Sequence, residues 1–282
     1  MTAVAMPALT AAERRRGASQ AFVALLLRDV RVLRKNLRQF TVRVIMQPLL
    51  FTFVFAYVFP KIGQSVGGAA SGGGPNFSTV LVPGLVAVAI IFQGIQAVAL
   101  PLVQEFSFTK EIEDRVLAPM SVNLVGLGKV VNGAMQAILA AFVVFPIVAV
   151  VHAPGEAPDI SIARPWLFVL VLLCSAFLGA AFGLLIGTSF APQQVPLIFS
   201  IIVMPLSMLG CIYYPWADLD PIRWLQIGVL LNPLVYMSEG LRASITPNVE
   251  HLPTPVFLAA MVGGTALMLV VSLRKFRQRV VA

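Results

Sequence analysis

The chain has 282 residues, of which 59% are hydrophobic and only 11% are charged. Soluble domains carry about 25% charged residues, so the composition excludes a soluble protein and indicates an integral membrane protein. The formal net charge of +8 is concentrated near the two ends of the chain. Membrane lipids and the positive-inside rule explain charge in those places, so it does not indicate nucleic-acid binding.

The first 38 residues precede the apolar part of the chain. Residues 1–18 are small and polar and are predicted to form a disordered basic tail. Residues 19–38 place Phe22, Leu26 and Val30 on one helical stripe and arginines on the rest, a pattern typical of an amphipathic helix at the cytoplasmic membrane surface. A solvated cytoplasmic helix is the alternative.

Residues 39–273 contain apolar segments long enough to cross a bilayer as helices. The predicted spans are residues 40–60, 79–103, 128–151, 166–190, 195–213 and 254–273. Residues 224–231 are too short to span, and Pro233 separates them from a second short segment. We expect a re-entrant helical pair there, in which Glu239 and Arg242 can pair at i,i+3. The predicted fold class is therefore all-α integral membrane, with six transmembrane helices.

Several amides lie inside the predicted spans. Such side chains face protein or a water-filled path rather than lipid. They either line a translocation path or tie helices together, and they are Gln93, Gln96, Asn132 and Gln136.

The fourth predicted span carries a ladder of small residues on one face, which allows another backbone to approach closely. The ladder includes Gly179, Gly183 and Gly187. It predicts helix packing, either within the chain or with a second copy.

Lysine and arginine are distributed unevenly between the two sides. Six spans place both ends on one side, together with the arginines of residues 14–43 and the basic tail 274–282. The other side carries only a few basic residues. The positive-inside rule then predicts cytoplasmic N- and C-termini and an inner (plasma) membrane location.

A polar segment, residues 104–120, separates the second and third predicted spans. A bilayer core excludes so many charges, because each costs at least about 2–3 kcal/mol. The segment therefore lies in water beside the membrane, and its spacing predicts a short helix that Pro119 stops. The side chains that a partner could contact are Glu105, Phe108, Lys110, Glu111, Glu113, Asp114 and Arg115.

Three segments, in this order and spacing, resemble the permeases of ABC-2 type exporters. They are Leu81-Val82-Pro83-Gly84-Leu85, the acidic run from Glu111 to Met120, and Leu231-Asn232-Pro233-Leu234-Val235-Tyr236 with Leu241-Arg242 after it. The resemblance covers roughly residues 20–275. It is greatest to the branch with drug-resistance permeases of the daunorubicin type, nodulation-factor exporters and polysaccharide exporters.

The resemblance implies a division of labour between subunits. A separate ATP-binding subunit would bind ATP and Mg, and this permease would bind neither and would not be an enzyme. Residues 104–120 would be the coupling helix that contacts that subunit, and the permease would form a homodimer. The implied function is export of an amphiphile, whether a drug, a lipid or a lipid-linked glycan.

Two other functional classes fit the sequence less well. An ion-coupled secondary transporter or a channel would favour ionisable residues deep in several spans. The interior of the predicted spans holds amides but no acidic side chain. A membrane-embedded enzyme needs a nucleophile with a base, or converging metal ligands. The two histidines, His152 and His251, both fall in predicted outer loops. The chain also has no phosphate-loop motif, so ATP hydrolysis would need another chain.

Overall fold

A computed structural model describes residues 11–62, 76–106, 121–155 and 157–281, and this part of the chain contains helices and no β-strand. The α-helices are α1 Ala11–Lys35, α2 Leu37–Thr52, α3 Phe77–Gln104, α4 Val122–Val150, α5 Pro165–Ser189, α6 Val195–Met208, α7 Arg223–Gly228, α8 Pro233–Ile245 and α9 Thr254–Val281. The all-α membrane fold class is confirmed.

Helix α3 is the centre of the bundle. Its most apolar stretch is 72% buried within the chain, whereas those of α2 and α9 are each only 22% buried. The helix packs mainly against α5 and α4, and its outer end also packs against α8. Helices α2 and α9 therefore lie at the periphery, where most of their side chains are open to lipid or to another protein.

Five helices in the described ranges are long and apolar enough to cross a membrane. The first of these continues from α2 through a π-helix, Phe53–Val58, to Lys61. Helix α6 is shorter than the predicted span 195–213, because it ends at Met208 after 14 residues. At 1.5 Å per residue it is about 21 Å long, less than the hydrocarbon thickness of about 30 Å.

The break after α6 has a local conformational cause and distant partners. Cys211 has a φ of 52°, in the left-handed region that L-residues seldom adopt. The carbonyls freed by the break accept hydrogen bonds from α8: Ser238 Oγ donates to Gly210 O at 2.8 Å, and an Arg242 amine donates to Cys211 O at 3.1 Å. Non-helical backbone is tolerated in a membrane domain only where such groups are satisfied.

A proline leaves one backbone carbonyl of the π-helix after α2 without its helical partner. Pro60 has no N–H, so it cannot pair with the carbonyl of Ala56 one turn earlier. That carbonyl instead accepts a hydrogen bond from the backbone N–H of Ala153, in the turn after α4, at 3.0 Å. The backbone group lost at Pro60 thus joins the end of the first span to the loop after α4.

The re-entrant pair predicted before the last span is present. Its first arm consists of a 3-10 helix, Trp216–Ile222, then α7 and a second 3-10 helix, Val229–Leu231. Its second arm is α8. Asn232 caps α8 by accepting a hydrogen bond from Leu234 N at 3.0 Å, and Pro233 occupies the first helical position, where its missing N–H costs nothing.

Three helix ends differ from the predicted boundaries. Helix α1 already begins at Ala11, within the segment predicted to be disordered, and α4 begins at Val122 rather than at residue 128. Helix α9 continues to Val281, so residues 274–281 extend the last helix rather than forming a separate tail. Arg279 donates a hydrogen bond to Thr188 O at the end of α5, at 2.7 Å, where a cation also favours the helix dipole.

Contacts place α1 and the end of α9 on one face of the bundle. Leu25 and Phe22 of α1 lie beside Gly128 near the start of α4. Phe276 near the end of α9 lies against Phe106, just after α3. We call this side the terminal face. The opposite face carries the break after α6 and the re-entrant pair.

Candidate functional site

The charged segment 104–120 begins at a fixed base on the terminal face. Glu105, immediately after α3, forms an ion pair with Lys129 of α4, and both residues are buried. The adjacent Phe106 ring lies 6.4 Å from the ring of Phe276. The Arg279 guanidinium lies 5.0 Å from the centre of the Phe106 ring. Three helices therefore hold the first residues of the segment, so that a force applied to it would reach α3, α4 and α9 together.

The predicted contact residues are only partly within the described chain. Glu105 is described and belongs to the fixed base. The remaining six lie outside the described residues, so their position stays a prediction: Phe108, Lys110, Glu111, Glu113, Asp114 and Arg115.

The predicted amides lie close together between α3 and α4. Gln93 donates a hydrogen bond to the side-chain oxygen of Gln136 at 3.3 Å, and Gln136 donates to Asn132 at 3.4 Å. Gln96 is not in this chain of amides; it lines a small neighbouring cavity with Arg43 and Gln47. The bonded amides join the two helices, while Asn132 and Gln136 also border open space.

That space is a cavity of about 560 Å³ that begins at the terminal face. It lies under α1, between the first turns of α2 and the ends of α3 and α4 that face the same side. Ten of its fifteen lining residues are polar or charged: Arg28, Asp29, Asn36, Gln39, Arg43, Gln104, Glu105, Lys129, Asn132 and Gln136. A water-accessible polar cavity inside a membrane domain can admit a polar or charged solute.

The glycine ladder of α5 faces α3 of the same chain. A Cβ on Gly183 would lie 2.7 Å from the backbone oxygen of Ile95, and one on Gly187 would lie 3.2 Å from the Cα of Ala99. Gly179 contacts the backbone of Ile90 and Ile91 in the same way. The close approach of the two helices therefore depends on these small residues, within one chain.

The opposite face contains a buried ionic cluster, which we call the outer cluster and define as Glu239 and Arg242 with their partners. The two side chains form the predicted ion pair, and neither has any exposed surface. Glu239 also accepts hydrogen bonds from the backbone N–H groups of Trp216 at 3.0 Å and Leu252 at 2.8 Å. The cluster therefore joins α8 to the segments before and after the re-entrant pair.

Sequence reasoning missed two features of this arrangement. It did not connect Lys129 to Glu105, which is 24 residues earlier in the chain. It also did not detect the cavity beside Arg43. The sequence does show charged residues near helix ends that face the same side of the membrane. Their spacing along the chain does not indicate which of these helix ends contact one another.

The family of the chain follows from a comparison of its sequence with known families. Residues 20–246 match the family described as ABC-2 type transporter, which is well over half of the chain. The chain belongs to the ABC-2 type transporter family. No curated protein matches it. Members of this family leave ATP hydrolysis to a separate subunit, so the chain is the membrane-embedded permease of an ABC transporter.

In this ABC-2 permease, the first and third of the three segments that resemble the family meet at the break after α6. A Cβ on Gly84 would lie 2.4 Å from the backbone oxygen of Ile212, so only glycine fits there. Asn232 donates a hydrogen bond to Leu206 O at 2.7 Å. Arg242 bonds Cys211 O at 3.1 Å and Val80 O at 3.4 Å. The segments therefore build one structural unit around non-helical backbone.

Replacing Lys129 of the permease with methionine is expected to destabilise the terminal face by about 2 kcal/mol, because the buried Glu105 carboxylate loses the Lys129 ammonium. Combining Lys129→Met with Glu105→Leu should recover most of this loss, since two apolar side chains can replace a buried ion pair at little cost. Thermal melts of the single and double variants in detergent measure the coupling. Losses that simply add in the double variant would show that the pair contributes nothing.

Proposed function

We propose that this permease exports an amphiphilic substrate, such as a drug, a lipid or a lipid-linked glycan, outward across the cytoplasmic membrane at the expense of ATP. The observation that carries the proposal is the fixed base of segment 104–120. Glu105 is paired with Lys129, and Phe106 is held between α9 side chains. Movement of this segment by a partner would therefore move several spans, which an ordinary solvated loop would not do.

The proposal assigns the chemistry to a second protein. A separate ATP-binding subunit would bind ATP and Mg and would contact the charged side chains between residues 108 and 115. Two copies of the permease would assemble with it, since the sparsely buried α2 and α9 leave apolar surface available for a second copy. Drug resistance is one physiological outcome of such export.

The terminal face would be cytoplasmic in this arrangement. Basic side chains are numerous there, on α1 and at the end of α9, and they include Arg28, Arg31, Arg34, Arg274 and Arg277. The positive-inside rule favours such a face in the cytoplasm. Both termini, segment 104–120 and the ATP-binding subunit would then share one compartment, as coupling requires.

The test is purification of the tagged permease from native membranes in a mild detergent. We expect a protein with a phosphate-loop sequence to co-purify, together with ATP hydrolysis that vanadate inhibits. Charge reversal at Glu111, Glu113 and Asp114 should remove that protein without removing the permease from the membrane.

The matched control is Asp220→Lys, a charge reversal on the opposite face, where Asp220 is 76% exposed. It should leave the complex intact. Absence of an ATP-binding subunit in several mild detergents would contradict the proposal and would favour an ion-coupled transporter.

A further inference from the structure

Three cavities follow one another between α2 and α3. The first is the polar cavity of about 560 Å³ at the terminal face, the second has about 40 Å³, and the third has about 200 Å³ and lies toward the opposite face. Arg43 lines the first and second cavities, and Gln47 and Phe92 line the second and third. The shared residues show that the three cavities are neighbours along one line between the helices, which we call the α2–α3 seam.

The seam follows one stripe of each helix. On α2 its walls include Gln39, Arg43, Gln47 and Phe51, which are four residues apart and so lie on the same face. On α3 the lining extends from Gln104 to Leu85. These ends are about 28 Å apart along the helix, close to the hydrocarbon thickness of about 30 Å.

The chemistry of the seam changes along its length. The cavity at the terminal face has charged and amide walls. The third cavity is mainly apolar, with aromatic and methionine side chains from α3 and α6; Phe92 and Phe199 are 5.3 Å apart there, and Met204 lies beside them. A molecule that satisfies both parts must have a polar end and an apolar end.

Arg43 lies where the two environments meet. It is six residues after the start of α2, about 9 Å along the helix, and within the first candidate membrane span. Lys129 and Arg242 each have a carboxylate partner. Arg43 has no ion pair or hydrogen bond within the described part of the chain. The carboxylates of Asp29 and Glu105 also line the first cavity, but neither pairs with Arg43. A cation at membrane depth is costly without a paired anion, so the seam favours an anionic ligand at this point.

We infer that the α2–α3 seam binds an amphiphile with one anionic head group and one apolar chain. The phosphate, sulfate or carboxylate head lies at Arg43, and the chain enters the cavity lined by Phe92, Phe199 and Met204. At about 200 Å³, that cavity is below the range of about 300–1,000 Å³ of sites for drug-sized molecules. It therefore suits a single chain rather than a bulky ring system or two acyl chains.

The direction of the seam agrees with this ligand. Its polar end opens at the terminal face, which the proposed function places in the cytoplasm, and its apolar end lies deeper in the membrane. An amphiphile in the inner leaflet has the same orientation, so it could enter the seam without turning over. The inference rests on the proposed function only in identifying this ligand with the exported substrate.

The experiment uses the purified full-length chain in phosphatidylcholine nanodiscs, without any ATP-binding subunit. The probe is a palmitic-acid analogue with a photoreactive diazirine in its chain, and the uncharged probe is the matching fatty alcohol. We expect the acid to label the α3 and α6 peptides that contain Phe92 and Met204. Labelling by the alcohol should be about tenfold weaker, the loss expected when one charged contact is absent.

Three variants separate the charge from the fold. Arg43→Gln should reduce labelling by the acid about tenfold, Arg43→Lys should restore most of it, and Arg38→Gln should leave it unchanged. Arg38 is the matched control because it lies on the same helix and is exposed, as Arg43 is, but does not line the seam. Equal labelling by both probes, or full labelling of Arg43→Gln, would overturn the inference.

Phosphatidylglycerol added to the nanodiscs tests the main alternative occupant. Loss of labelling at a modest fraction of this lipid would assign the seam to bilayer phospholipid and overturn the inference; persistent labelling supports it. The proposed function fails by a different result, the absence of an ATP-binding subunit. Labelling without such a subunit would leave the seam as an amphiphile site, whereas a subunit without labelling would leave an exporter whose substrate binds elsewhere.

Discussion

Replacing Gly183 with leucine is expected to abolish the detergent-stable fold of the chain. A Cβ at this position would lie 2.7 Å from the backbone oxygen and 2.9 Å from the Cα of Ile95. Backbone cannot rotate aside as a side chain can, so α3 and α5 must separate. Overpacking usually costs about 1–3 kcal/mol, and the loss should exceed that range here, because the separated helices form the largest helix contact of the bundle.

The matched control is Gly263→Leu in α9. A Cβ at Gly263 would meet nothing within 4 Å, and replacing a glycine inside a helix removes a conformational cost of about 0.5–1 kcal/mol. We expect this variant to melt at or slightly above the temperature of the wild type in fluorescence-detected size exclusion. A Gly183→Leu protein that elutes and melts like the control would refute the close packing of α3 on α5.

Arg242→Met is expected to cost about 3–5 kcal/mol of stability, the usual result of removing one partner from a buried ion pair. Neither Arg242 nor Glu239 has exposed surface, so the remaining carboxylate cannot be solvated. The carbonyls of Cys211 and Val80 also lose their donor. The expected result is a protein that inserts into the membrane but unfolds on extraction, or melts many degrees lower.

Arg223→Met provides the comparison within the same region. Arg223 pairs with Asp220 at 3.8 Å, but both side chains are about three-quarters exposed, and exposed pairs contribute about 0–1 kcal/mol. Its melting temperature should therefore change little. If both arginine substitutions lowered the melting temperature equally, burial of the outer cluster would not determine its contribution to stability.

Much of the helical architecture is predictable from the sequence, because uninterrupted apolar length determines which segments can span a bilayer. The re-entrant pair is predictable for the same reason, since residues 224–231 are too short to cross and Pro233 separates them from the next segment. The Glu239–Arg242 pair is also predictable from the sequence, because the spacing i,i+3 places both side chains on one face of a helix.

The length of α6 is not predictable in this way. Residues 209–213 are apolar enough to continue the helix. Nothing in the local sequence requires the left-handed conformation of Cys211. The break is stabilised by Asn232, Ser238 and Arg242, which are more than twenty residues away. Periodicity does not reveal contacts at that sequence distance. The predicted fifth span, 195–213, therefore extends five residues beyond Met208, where α6 ends.

The candidate site was predictable as a set of residues rather than as an arrangement. Amides inside apolar spans indicate protein-facing positions, but they do not show that Gln93 contacts Gln136 while Gln96 faces another cavity. A glycine ladder indicates a close contact without naming the neighbouring helix. The α2–α3 seam is further from prediction, because a cavity is defined by where two helices fail to touch.

The hydrogen bonds that join the outer cluster to the rest of the chain go to backbone groups rather than to side chains. Glu239 accepts from the amides of Trp216 and Leu252, and Arg242 donates to the carbonyls of Cys211 and Val80. Every residue type except proline presents the same amide, and every residue presents the same carbonyl. Substitution of the neighbouring residues can therefore change the side chains around the outer cluster without removing the backbone groups that Glu239 and Arg242 bind.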